Sequence, residues 1–220
     1  MRRFLIPVSL LVAARLLSAC GDSSVSQCFE TGAAAYPVRS PFDTTVTFAW
    51  PTSFMPVRVY AEPVDSTPQN VLRGMQLWVS AFRCSELSLQ VWPDSVTADI
   101  VVRNPPSLPP SPPAGVAFMA GDSVNACLGK TVFALDSAGF VVRPIRTFVS
   151  PNSIDTAAVE ACYHFVTAHE LGHAFGLLSH SPNPNDLMNA IPRHTALSPS
   201  DKYTIQLLYH LTPTVAPEHR

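Results

Sequence analysis

His169-Glu170-Leu171-Gly172-His173 places two imidazoles four residues apart with a carboxylate between them. On a helix that spacing is one turn, so both rings leave the same face and both can reach one ion. Nitrogen donors in that arrangement suit zinc, which binds imidazole at about 2.0–2.1 Å. Glu170, next to the first imidazole, is placed to accept a proton from water beside such an ion and so to act as general base, not as ligand. A catalytic zinc takes three protein ligands and keeps one position open. Past a chain-reversing Gly176, His180 supplies the third imidazole. His164 lies five residues before His169, off the ligand face, and has no role in this set.

These side chains need a helix to carry them and a sheet to support the helix. Apolar residues Val159, Cys162, Phe165 and Val166 lead into the motif, so a helix is expected after Pro151, with Ser153 as cap and Asp155 in its first turn, running to Leu177. A second helix opens at Ser66-Thr67-Pro68 and passes Val71, Met75, Trp78 and Phe82; a last one opens at Ser198-Pro199-Ser200-Asp201 and passes Ile205, Leu208 and Leu211. Strands are expected at Val57-Arg58-Val59-Tyr60 and over residues 87–92, 98–102, 115–119, 130–135 and 140–149, where β-branched and aromatic residues form strand-length runs. Many of the 22 prolines fall between these runs, at 105–113 and at Pro182, Pro184 and Pro192, and mark loops.

The 220 residues are 47% hydrophobic, enough to bury the core of one ordinary domain. A net charge of −2 with only 14% charged residues provides no basic field for a phosphate backbone, so nucleic acid is excluded as an expected partner. A monomer is the expectation. Arg2 and Arg3, an apolar run over residues 4–14 and Leu17-Ser18-Ala19-Cys20 read as an export signal over 1–19. The Leu-Ser-Ala-Cys ending resembles a bacterial lipobox, which implies lipidation of Cys20 and a membrane-anchored, extracytoplasmic protein in the periplasm or at the cell surface; plain secretion is the alternative. Residues 20–44 then read as a tether and 45–220 as the folded domain. Outside the cytoplasm, Cys28, Cys84, Cys127 and Cys162 are expected to form two disulfides, and of three possible pairings Cys28–Cys84 with Cys127–Cys162 is preferred.

The stretch from His169 to His180 resembles the metzincin signature HExxHxxGxxH, nearest to matrixin-like bacterial enzymes, with one difference. Three residues, Leu177, Leu178 and Ser179, separate Gly176 from His180 where the usual pattern has two. Met188 falls eight residues after His180, where the resemblance places the methionine of a Met-turn. Ala98-Asp99-Ile100-Val101-Val102 is similar to the central strand of that family, and the likeness extends over most of residues 45–212. It implies an α+β zincin: a twisted, mostly parallel sheet of four to five strands, an active-site helix ending at Gly176, a Met-turn and a C-terminal helix. It also implies one catalytic Zn2+, leaves a structural Ca2+ open, and implies an endopeptidase that cuts protein or peptide substrates through zinc-activated water. Ala190 stands where some relatives carry a tyrosine. The alternative is a catalytically idle, zinc-containing lipoprotein that binds peptides.

Overall fold

The computed structural model describes residues 28–29, 32–39, 44–109 and 126–219, and the backbone alone of 116–119 and 123–124. The export signal and Cys20 lie outside the described residues, as does part of the proline-rich stretch.

Five strands form a mostly parallel sheet in the order β2-β1-β3-β7-β6: β1 (Val57–Ala61), β2 (Leu89–Val91), β3 (Ile100–Arg103), β6 (Cys127–Ala134) and β7 (Ile145–Pro151). Of these only β6 runs antiparallel to its neighbour, pairing Thr131 with Thr147 across to β7. Two short strands, β4 (Val116–Met119) and β5 (Ser123–Val124), add antiparallel to the outer side of β6. Helix α1 (Thr67–Val79) contacts β1, β2 and β3, and α2 (Thr156–Ala174) crosses β6 and β7. With α3 (Pro199–His210) at the C-terminal end, this is the architecture expected for a metzincin-like chain.

Several boundaries differ from expectation for local reasons. β7 starts at Ile145, not at residue 140, because Pro144 lacks the N–H a ladder requires; Val141 instead bridges Leu135 and Pro217. α1 stops at Val79, short of Phe82, which packs on Tyr209 from beyond the helix end. The cap of α2 is Asp155, whose carboxylate accepts from the Ala157 and Ala158 amides, while Ser153 Oγ accepts from Asp155 N. At α3 the capping box is complete: Ser198 Oγ accepts from Asp201 N and Asp201 Oδ2 accepts from Ser198 N.

Helix α2 is buried from Cys162 onward save at two half-buried positions, because the sheet covers one side and α1 the other. Close approach of the helices depends on Gly74, where a Cβ would stand 2.7 Å from Leu171 Cδ1. Trp78 Nε1 donates to Ala168 O at 2.7 Å and Trp50 Nε1 to Ala174 O at 3.0 Å, so two buried indoles tie the motif-bearing turns to the core. Disulfides join Cys28 to Cys84 and Cys127 to Cys162, the second fastening the start of β6 to α2.

Candidate metal centre

The three imidazoles meet at one point. His173 Nε2 lies 3.1 Å from His169 Nε2 and 3.2 Å from His180 Nε2. Tetrahedral coordination at the usual zinc–imidazole distance sets ligand nitrogens about 3.3 Å apart, so the donor set fits zinc.

Proton placement makes the fit specific. His169 Nδ1 lies 2.7 Å from Leu187 O and His173 Nδ1 lies 2.5 Å from Leu177 O. A carbonyl only accepts, so each Nδ1 carries a proton and donates, leaving the Nε2 atoms as bare lone pairs. Burial, and then the neighbouring His169 and His180 rings, hold the His173 pKa well below its ordinary value, which keeps this ring neutral. Lone pairs converging at 3.1 Å repel unless a cation lies between them, and these three residues could hold one.

Local sequence explains how each carbonyl comes to its place. At the end of α2, Gly176 N donates to His173 O and Leu177 N to Gly172 O, the paired bonds of a Schellman turn. Gly176 has φ +112°, and a Cβ there would sit 2.1 Å from Phe48 O, so only glycine allows both the turn and the approach of the strand-like segment at Phe48. The reversal swings Leu177 O back onto His173 Nδ1. Leu177 and Leu178 are then fully buried, and the chain bends at Ser179, whose hydroxyl donates to Arg39 O. The additional residue before His180 is thus absorbed in an irregular turn between two buried leucines and the third imidazole.

Met188 is fully buried, its sulfur so near Gly172 that a Cβ on that glycine would stand 2.5 Å away. The turn at Leu187–Met188 is held from α3: Asp201 accepts from Leu187 N at 2.8 Å, Met188 N at 3.3 Å and Ser198 N at 3.0 Å. Tyr36 OH also donates to Asp201, at 3.1 Å. Burial raises the Asp201 pKa, against the lowering effect of these amides. Asp201 therefore does more than cap α3, and Tyr36, within the stretch expected to be a tether, is buried against it. Nothing in the linear sequence marks Tyr36, whereas the capping box did point to Asp201.

Glu170 is 1% exposed and turns toward β6, where Thr131 Oγ1 lies 2.7 Å from its Oε2. A Cβ on Gly129 would be 2.3 Å from Oε1. Neither β6 residue carried a signal in the sequence, because their value depends on the strand lying beneath α2.

The matrixin family model matches residues 122–210. The match spans β5 to α3 and takes in the three histidines, Glu170, Met188 and Asp201. It supports a metzincin-like family for the chain, and with it a zinc metallopeptidase acting on protein. No curated protein matches the chain.

Proposed function

We propose that the chain is a zinc-dependent endopeptidase of extracytoplasmic proteins, in which His169, His173 and His180 hold the metal and Glu170 is the general base. The observation that carries the reading is the convergence of three Nε2 atoms, those of His169 and His180 lying 3.1 and 3.2 Å from that of His173, with the Nδ1 atoms of His169 and His173 committed to backbone carbonyls. Zinc in that position supplies a Lewis acid for the peptide carbonyl and lowers the pKa of water. Glu170 follows the first ligand on α2 and has the chemistry to take the proton of the attacking water and deliver it to the departing amine. The Leu187 carbonyl keeps the His169 ring oriented throughout. Ala190 supplies no hydroxyl to the oxyanion.

The location follows from the N-terminal residues. Arg2 and Arg3, the apolar run and the Leu-Ser-Ala-Cys ending support export and lipid attachment at Cys20, ahead of a catalytic domain to which Cys28 and Tyr36 are already joined. Two disulfides suit an oxidising compartment. Mass spectrometry of the N-terminal peptide from the native membrane should show a lipid-modified Cys20; an unmodified cysteine there removes the anchor.

The decisive experiment compares wild type and Glu170→Gln for zinc content and for cleavage of an unstructured protein such as casein. The reading expects about one zinc in each and a rate lower by about 10²–10⁴-fold in the variant. Zinc in both with cleavage by neither would favour the idle peptide-binding lipoprotein, and protein that takes up no zinc would sink the proposal.

A further inference from the structure

We infer that Thr131 is a positioning residue that holds the Glu170 carboxylate in its working orientation, through a chain of hydrogen bonds that starts at Thr147. The inference rests on Glu170 being the general base and adds what keeps it in place.

Thr131 Oγ1 has three polar neighbours: Glu170 Oε2 at 2.7 Å, Glu170 O at 3.0 Å and Thr147 Oγ1 at 3.2 Å. A hydroxyl has one proton to give. The carboxylate oxygen is both the closest and the most basic of the three, so it takes that proton. Thr147 must then be the donor in the threonine pair, and Thr131 Oγ1 the acceptor. The order Thr147 to Thr131 to Glu170 orients both hydroxyls one way. Each threonine is fully buried, and antiparallel register sets them directly opposite each other on β6 and β7. Water does not compete for either hydroxyl.

Sterics complete the seat. Two residues earlier on the same face of β6, Gly129 leaves the space in which Oε1 and Cγ of Glu170 lie; a Cβ would be 2.3 and 2.8 Å from them. β6 thus offers a notch at Gly129 and a donor at Thr131, spaced to receive a carboxylate lying along the strand. A glutamate with three side-chain torsions free to turn would meet the attacking water in few of its conformers, and a misplacement of about 1 Å is enough to cost a large factor in rate. Zinc binding needs none of this, since the hydrogen-bond partners of Thr131 Oγ1 are Glu170 and Thr147, not an imidazole.

The test uses Thr131→Val, which keeps shape and removes the donor, and Thr131→Ser, which restores it. Expected for Thr131→Val is a kcat lower by about 10- to 100-fold with KM and zinc content close to wild type, and for Thr131→Ser a kcat near wild type. Crystal structures of the metal-free proteins give a readout without turnover: the Glu170 carboxylate should leave its seat in Thr131→Val and keep it in Thr131→Ser. A Thr131→Val enzyme with wild-type kcat, a serine variant as impaired as the valine one, or an unmoved carboxylate would each overturn the inference. Should Thr131→Val fail to fold, Thr147→Val carries the test, since Thr131 then loses its donor and kcat should fall several-fold; an unchanged kcat counts against the inference. Activity retained in Glu170→Gln is the separate result that removes the base itself, whereas an inactive Glu170→Gln beside a fully active Thr131→Val removes only the positioning role.

Discussion

His169 Nδ1 lies 2.7 Å from the carbonyl oxygen of Leu187, a bond that joins the active-site helix to the turn carrying Met188. The turn is in turn held by Asp201, so the orientation of the first ligand depends on a carboxylate 32 residues away in sequence, from 169 to 201. Replacing Asp201 by alanine leaves the buried amides of Leu187 and Met188, and the half-buried amide of Ser198, without that acceptor. The expected outcome is a loss of about 2–4 kcal/mol in unfolding free energy and zinc affinity weaker by about 10–100-fold, measured by denaturant titration and chelator competition. Wild-type zinc affinity in a folded Asp201→Ala protein would show that the turn does not orient His169.

Gly176→Ala tests the reversal behind α2. With φ at +112° and a Cβ only 2.1 Å from Phe48 O, the variant must shift backbone against backbone. A cost of about 3–5 kcal/mol is expected, together with lower zinc occupancy as Leu177 O leaves His173 Nδ1. Thermal unfolding and metal analysis read the two effects, and a melting temperature unchanged within error would contradict the crowding.

The Cys127–Cys162 disulfide spans a sequence separation of 35. A loop of that size corresponds to roughly 3–4 kcal/mol of stabilisation on the chain-entropy account. The double Cys127→Ala, Cys162→Ala variant should therefore unfold at clearly lower guanidinium concentration, and reduction should lower the midpoint of the wild type further than that of the variant, which keeps only Cys28–Cys84. Equal midpoints for the two proteins would mean that packing of the small cluster around Val149, Tyr163 and Val166 suffices.

Burial pushes the Tyr163 phenol up to about 12, while the unfolded value is near 10. A group whose pKa rises on folding contributes stability that is complete below its unfolded value and is lost as pH climbs through the folded one. Stability from this residue should thus decline between about pH 10 and 12, and Tyr163→Phe should flatten that decline in urea titrations at stepped pH. An identical slope in the variant would place the phenol in water.

The candidate site residues and the elements that carry them were legible in the sequence. Two imidazoles at helical spacing, a glycine three residues on and a third histidine are local patterns, and local patterns follow from backbone periodicity. The capping box at Ser198 and Asp201 and the apolar approach to His169 were legible for the same reason. Only the tertiary structure decided that His180 reaches its partners despite the extra residue, because Ser179 bends out toward Arg39 while two leucines stay buried. It also decided which carbonyls hold the rings, that Tyr36 joins Asp201, and that Gly129 and Thr131 face Glu170. The Thr131–Glu170 and Tyr36–Asp201 contacts link residues 39 and 165 positions apart, through the packing of α2 on β6 and of α3 under the turn. No period in a linear sequence encodes them, since they exist only once sheet register and helix crossing are set.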